Sequence, residues 1–212
     1  MERRFFNPYE LILRHGDRLP HWEQSGSTYF LTFRLADSIP QSELKRWKEE
    51  RDEWLSKHPE PWSDDVETAY HRIFSARVDR HLDAGMGTCL LRNRSVAEAF
   101  AETLLPHHEI RFLLHSFVVM PNHVHMLVTL NPTDTLPEMV KIWKGASARK
   151  IGKITSTRGK LWQRDYFDRL IRDEDHFFRV ARYIRANPAK ARLSEEEYLL
   201  WESEEVIRLL AT

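Results

Sequence analysis

Apolar and polar positions switch between two periods along this 212-residue chain. Thr28-Tyr-Phe-Leu-Thr-Phe-Arg-Leu35 is aromatic and β-branched, with Thr32 and Arg34 spaced as on one face, and predicts a strand that Pro40 ends. Residues 41–57 are rich in Glu, Lys and Arg, and Leu44, Trp47, Trp54 and Leu55 fall near helical spacing. His58-Pro-Glu-Pro-Trp62 breaks that helix. Ser63 is the expected N-cap of a second helix with Val66, Tyr70, Ile73, Phe74 and Leu82 as its buried stripe, ended by Gly85 and Gly87. Thr88-Cys-Leu-Leu91 predicts a short strand. A helix then runs from Asn93 or Ser95 to about Leu105, where Pro106 stops it. The clearest strands follow: Phe112–Met120 and His123–Leu130, joined as a hairpin by Pro121-Asn122.

The next helix turns Leu136, Met139, Val140, Trp143 and Ile151 inward and Lys141, Lys144, Arg149 and Lys150 largely outward. Residues 152–160 predict a polar loop, and Leu161–Phe167 and Asp168–Arg172 short extended pieces. Asp173 caps a helix from about Glu174 to Ala186, with Pro188 just past its end. Residues 195–210 predict a Glu-rich amphipathic helix, and residues 1–27, with Pro8, Gly16, Pro20 and Gly26, a loop-rich lead-in. Strand, helices, two strands, helix, short strands, helix is an α+β order, an antiparallel sheet with helices packed on it. The expected organisation is one domain over 1–193, with a helical insertion at about 41–106 and an acidic helical tail at 194–212.

Composition narrows the class. Hydrophobic residues make up 42% and charged residues 30%, a globular rather than a disordered balance. The absence of an 18-residue apolar run predicts no membrane span. The start MERRFFNPYE lacks the apolar centre of a secretory signal, and Cys89 is the single cysteine, so a reducing cytoplasm is the expected compartment and a Cys-rich zinc site is excluded. The net charge of zero argues against a polyanionic partner, but its distribution argues for one. Residues 111–192 hold sixteen Lys/Arg against seven Asp/Glu, a net of +9, while the tail 193–212 has six Glu against Arg208.

Two constellations carry chemistry. His123-Val124-His125 puts two imidazoles on one face of a strand, about 7 Å apart along the chain, where they can converge on one metal ion. Polar residues on a half-exposed strand read the same way. A histidine-triad hydrolase would need a third histidine where Leu127 stands. Tyr183 and Asn187 are i and i+4 and share a helix face. A tyrosine hydroxyl attacks phosphorus when a metal offsets the phosphate charge, and an Asn carbonyl one turn away suits a third ligand. Alternatively, Tyr183 packs on the sheet and Asn187 caps the helix. Together the two signals predict an imidazole and amide site with open positions, suited to Mg²⁺ or Mn²⁺ engaged with a phosphate.

With these residues in place, the sequence resembles the REP-associated tyrosine transposases, a branch of the single-tyrosine HUH transposases. The resemblance rests on Phe117-Val-Val-Met-Pro-Asn-His-Val-His-Met-Leu-Val128, Trp162-Gln-Arg-Asp-Tyr-Phe-Asp168, Ile171-Arg-Asp-Glu174 and Tyr183-Ile-x-x-Asn-Pro188. Leu19-Pro-His-Trp22 and Tyr29–Leu35 also fit, so it runs from about residue 15 to 193. It implies a ferredoxin-like (RRM-like) sheet with both histidines on a central strand. It implies a metal-dependent single-stranded DNA endonuclease and strand transferase. His123 and His125 would be ligands, Asn187 the third ligand and Tyr183 the nucleophile of a 5′-phosphotyrosine link. The implied substrate is single-stranded DNA bearing palindromic hairpins. The helical segment before residue 110 exceeds that of minimal members, and monomers and homodimers both occur among relatives.

The basic block nominates Lys141, Lys144, Arg149, Lys150, Arg164, Arg169, Arg172, Arg182 and Arg185 as DNA contacts. Tyr166, between Arg164 and Arg169, is a rival nucleophile that lacks an Asn at i+4. Trp47, Trp54 and Trp62 read as packing, and His107, His108 and His115 lack partners as ligands. No dedicated general base stands out. The acidic tail is expected to dock across the basic groove, so removing residues 194–212 would raise DNA affinity. Two competing readings are a non-catalytic binder of structured single strands and a phosphoesterase of small nucleotides.

Overall fold

The computed structural model describes residues 2–15, 21–59, 64–156 and 159–211. Gly16, Leu19, Pro20, Trp62 and the expected cap Ser63 lie outside the described residues. The lead-in contains a small antiparallel pair, β1 (Leu13–His15) with β2 (His21–Glu23). β3 (Thr28–Arg34) follows, then a helical segment of α1 (Gln41–Lys57), α2 (Asp64–Tyr70) and α3 (Ala76–Asp83), with a π-helical turn at His71–Ser75 between the last two. α1 buries no residue. Its Trp54 instead packs on Tyr70 and Phe74, with ring centroids 5.5 and 5.9 Å apart, so this segment is an outer layer. Of the stripe expected on the second helix, only Leu82 is buried.

The strand expected at Thr88–Leu91 does not form. Cys89 takes φ +50°, and the Leu91 N–H donates to Pro121 O outside any ladder, leaving a 3₁₀ turn at Leu90–Arg92. Asn93 caps α4 (Arg94–Ala101) by accepting from the Ser95 N–H. The helix ends short of Leu105: beyond Ala101 the bonds tighten to Thr103 N–Phe100 O and Leu104 N–Ala101 O, and a 3₁₀ turn that contains Pro106 spans Leu105–His107.

β4 (Phe112–Val119) and β5 (His123–Leu130) form the predicted hairpin. α5 (Leu136–Thr155), β6 (Phe167–Leu170) and α6 (Glu174–Lys190) complete the unit. α6 runs past its expected end with Pro188 inside its last turn. A proline there forfeits one backbone bond, and Ala191 N to Asn187 O continues the pattern at 3.0 Å. The tail is not a continuous helix. It holds a 3₁₀ turn, β7 (Leu199–Glu202) and α7 (Glu204–Leu209). Alternating side chains explain this: Leu200 packs on one face of the sheet, Leu199 and Trp201 on the other. β7 extends the sheet along β4, so residues 194–211 are part of the folded unit rather than an arm laid over a groove.

The five-stranded antiparallel sheet has the order β6-β3-β5-β4-β7. Its first four strands, with crossovers through helices after β3 and β5, have the α+β ferredoxin-like arrangement. One face packs against α4 and α5 through Tyr29, Leu31, Phe33, Val124, Met126 and Trp143. The other packs against α6 through Phe30, Val118, Leu127, Phe177 and Ile184. Both faces are covered, so β4 and β5 are buried almost end to end. A bulge at His115 shifts the register, placing Leu114 and Phe117 in one core despite their odd spacing. No helix among the described residues is long and apolar enough to cross a membrane.

Candidate active site

Alternation along β5 sends Val124, Met126 and Val128 into the α4–α5 core and His123, His125 and Leu127 toward α6. The imidazoles meet with Nε2 atoms 3.1 Å apart. Each is held from behind. The Asn122 amide N–H₂ donates to Leu82 O at 3.2 Å and Met86 O at 3.0 Å, which leaves its Oδ1 to accept from His123 Nδ1 at 2.8 Å. His123 therefore carries its proton on Nδ1 and offers the Nε2 lone pair. His125 Nδ1 lies 2.7 Å from Thr32 Oγ1 on the paired strand β3. Phe30 stacks on the His125 ring at 5.4 Å. Burial is the main cause that lowers both histidines, His123 to about 3, with Lys190 and Arg34 reinforcing it there and His123 and Lys190 at His125. Both are neutral near pH 7, as metal ligation requires.

α6 brings in Tyr183 and Asn187 one turn apart. The Tyr183 hydroxyl lies 3.5 Å from His125 Nε2, and its ring meets Phe30 edge-on at 5.7 Å. Burial raises the phenol above its ordinary value. The Asp79 carboxylate adds to the rise and the Asn187 amide opposes it. Asn187 is fully buried, donates through Nδ2 to Tyr183 O at 3.1 Å, and leaves Oδ1 with no hydrogen-bond partner. A buried, unpaired carbonyl oxygen is costly unless something binds it. No group of three His, Cys, Asp or Glu suited to a metal occurs among the described residues. Two neutral imidazoles and one orphaned amide oxygen nevertheless make a mixed donor set with open positions, and this fits a divalent ion that takes further oxygens from water or phosphate. Tyr166, the rival nucleophile, lies on the far side, its ring 5.3 Å from the Lys144 ammonium and packed with the α4–α5 core.

The nominated basic residues do not form one surface. Lys141, Lys144, Arg149 and Lys150 belong to α5, behind the sheet from Tyr183. Lys144 is committed to structure. Its ammonium donates to the carbonyls of Gln163, Arg164 and Asp165 at 3.0–3.2 Å, and burial lowers its pKa to about 8. Lys150 pairs with Glu102, while Lys141 and Arg149 are exposed on that layer. Arg164 is exposed in the loop before β6. On the Tyr183 side, Arg169 projects from β6 beside Phe167, and Arg172 and Arg182 are exposed. Arg185 is held by the β7 carboxylate of Glu202, through Nε at 3.0 Å and Nη2 at 2.9 Å. Two more acids of the tail are paired, Glu197 with Arg92 and Glu205 with Arg3.

Three contributors were not read as site residues. Asn122 lay inside a motif but had no role there. Thr32 was placed on a strand face, but nothing local paired it with His125 across ninety residues. Asp79 sits on α3, where its negative charge helps raise the Tyr183 phenol, and no local signal marks it.

Comparison with known proteins bears on this geometry. Residues 91–187, which hold both histidines, Tyr183 and Asn187, match the family model described as "Transposase IS200 like". The ISDra2 transposase TnpA of Deinococcus radiodurans is 44% identical over 45 residues, 21% of this chain and 32% of that protein. An uncharacterized protein of Haemophilus influenzae is 25% identical over 118 residues, 44% of this chain and 58% of its own. The chain thus spans less than two thirds of either relative. A solved structure of a REP-associated tyrosine transposase bound to a REP hairpin aligns with 80% of this chain and 71% of its own, at 18% identity and a TM-score of 0.41.

Proposed function

From the match of residues 91–187 to the IS200-like transposase model, we propose that this chain nicks and rejoins single-stranded DNA through Tyr183, with Mg²⁺ or Mn²⁺ held by His123, His125 and Asn187. One observation carries the reading: the Tyr183 hydroxyl stands 3.5 Å from one of two facing imidazole nitrogens, and Asn187, one helical turn on, keeps a buried oxygen without a hydrogen-bond partner. A divalent ion there would supply Lewis-acid stabilisation of phosphate charge. The chain's own residues do the rest. Asn122 and Thr32 fix the imidazoles, and Phe30 orients the Tyr183 ring. The phenol oxygen attacks phosphorus, the bond to the 3′-oxygen breaks, and the 5′-phosphate remains on the tyrosine. The phosphodiester energy is kept in that link, so rejoining needs no nucleotide. The unit is a monomer, or a homodimer in which α6 is exchanged between protomers.

The motifs shared with the REP-associated branch support single-stranded DNA with a palindromic hairpin as the substrate, met in the cytoplasm at the nucleoid. Arg169, Arg172 and Arg182 would meet the backbone near Tyr183, and Lys141, Arg149, Lys150 and Arg164 parts of the strand farther off. The test is a denaturing gel with labelled hairpin DNA and Mn²⁺, comparing the parent with Tyr183→Phe. A denaturant-resistant protein–DNA adduct present only in the parent is expected. Tight hairpin binding with no adduct in either protein would instead favour a non-catalytic binder, and an adduct surviving in Tyr183→Phe would move the nucleophile to Tyr166.

A further inference from the structure

Arg34 closes β3 on the same face as Thr32, and the chemistry above gives it no task. Thr32 stands opposite His125 in the ladder and bonds its Nδ1, so this face of β3 is the one turned to the site. Arg34 stands opposite His123. Directly opposed residues of an antiparallel pair send their side chains to one side, with Cβ atoms about 5 Å apart. The backbone is pinned here twice. The Gln163 N–H donates to Arg34 O at 2.9 Å, and the Leu35 N–H donates to Asn122 O at 2.9 Å. The side chain is not pinned. It is half-buried, its Nε is shut off from solvent without a hydrogen-bond partner, and no ion pair joins its guanidinium to any described residue. Asp165 favours its charge only from beyond ion-pair distance. Arg185, by contrast, is held by Glu202. A guanidinium left bare at this depth is costly unless an anion binds it. It also stands beside a donor set suited to a cation, and two positive charges sit well together there only with an anion between them.

Along this face the order is Phe30 with the Tyr183 ring at 5.7 Å, then Thr32 with His125, then Arg34 with His123. Phe30 and Arg34 are four strand positions apart, about 13 Å. Tyr183 and Arg34 therefore approach the imidazole pair from opposite ends. We propose that Arg34 is a catalytic residue that grips the scissile phosphate from its leaving side. The assignment rests on the nicking reading and deepens it. In an in-line displacement the 3′-oxygen departs opposite the attacking oxygen. The guanidinium donates hydrogen bonds to the non-bridging phosphate oxygens. The phenol gives its proton to water as its oxygen bonds to phosphorus. The electron pair of the breaking P–O bond goes to the 3′-oxygen, which takes a proton from water. Arg34 stays charged throughout and offsets the negative charge on the phosphate oxygens.

The experiment has two arms on the full chain. In the first, Mn²⁺ is titrated by calorimetry into the parent and Arg34→Met without DNA. The variant should bind about 10-fold tighter, because one cation no longer repels another. Equal or weaker binding would overturn the proposal whatever the enzyme does. In the second, single-turnover adduct formation is followed with Mn²⁺ and two hairpin DNAs, one natural and one with a methylphosphonate at the scissile position, which removes the non-bridging charge. On the natural strand Arg34→Met should be about 100-fold slower, and Arg34→Lys, which keeps the charge but not the fork, should recover part of the loss. On the methylphosphonate strand the parent and Arg34→Met should react at similar rates. A deficit equal on both strands, as a merely structural role would give, or no deficit on the natural strand, would also overturn the assignment. A parent that forms no adduct while Arg34→Met still binds Mn²⁺ more tightly would mark failure of the nicking reading itself, and the role of Arg34 would fall with it.

Discussion

The two faces of the sheet are made from alternate residues of the same strands, yet they differ in kind. Toward α4 and α5 the strands present Tyr29, Leu31, Phe33, Val124, Met126 and Val128, a largely apolar layer closed by Trp143, with polar links such as Trp162 Nε1 to Ser147 Oγ at 3.0 Å and Tyr29 Oη to Gln24 O at 2.9 Å at its margins. Toward α6 the neighbouring positions are Thr32, His123, His125 and Thr129. These form two buried polar chains: Thr28–Thr129–His115, and Thr32–His125–His123–Asn122. Side chains of such polarity survive burial only when bonded. The dry face supplies the burial energy, and the wet face uses the resulting rigidity to aim donors at one point. Basic residues obey the same division. Lysines on α5 sit behind the dry face, whereas Arg169 on β6, Arg172 just after it and Arg182 on α6 share a side with Tyr183.

The largest contrast should come from one truncation on each face. Trp143→Ala should cost about 3–5 kcal/mol of stability, read by denaturant unfolding, while adduct formation by the folded fraction survives. His123→Ala should lower adduct formation by about 1,000-fold with only a modest change in melting, and equal kinetic losses in the two variants would erase the distinction between the faces. Next come the supports of the imidazoles. Thr32→Val and Asn122→Ala should each weaken Mn²⁺ binding about 10- to 100-fold, measured by calorimetry, and the Asn122 change should lower melting more because it also releases α3.

A smaller effect should appear with acid. His115 is buried against Phe177, and burial, reinforced by Arg3 and His108, lowers its pKa to about 3. The unfolded chain takes up its proton near pH 6.5 and the folded chain does not. The stability from this group is therefore complete above that pH and is lost as pH falls from about 6.5 toward 3, by about 1 kcal/mol per unit. His115→Gln should flatten the pH dependence of the melting temperature in that window, and an unchanged slope would show that the ring is not held neutral. The smallest effect is on DNA. Arg182→Ala should reduce the salt dependence of hairpin binding by about 0.7 in log–log slope, whereas Lys144→Met should leave that slope alone and lower stability, since its ammonium serves three carbonyls.

Covalent spacing and local periodicity determine which side chains share a face, and that much could be read from the chain alone. The strands over 28–35, 112–120 and 123–130, the basic helix after them, the i,i+2 histidines and the i,i+4 Tyr183–Asn187 pair all follow from periods of 2 and 3.6. Pairing between distant segments follows from neither period, and there the tertiary structure decided. It made Leu199–Glu202 an edge strand where Glu-rich spacing suggests a helix, because the open side of β4 offers a ladder that a helix cannot use. It carried Pro188 inside α6, buried Lys144 among carbonyls twenty residues away, and set most α5 cations behind the sheet. It also brought Thr32 to His125 and the α3 carbonyl of Leu82 to Asn122. Such contacts arise only after the chain has closed long loops around two cores, so no local window of residues contains them.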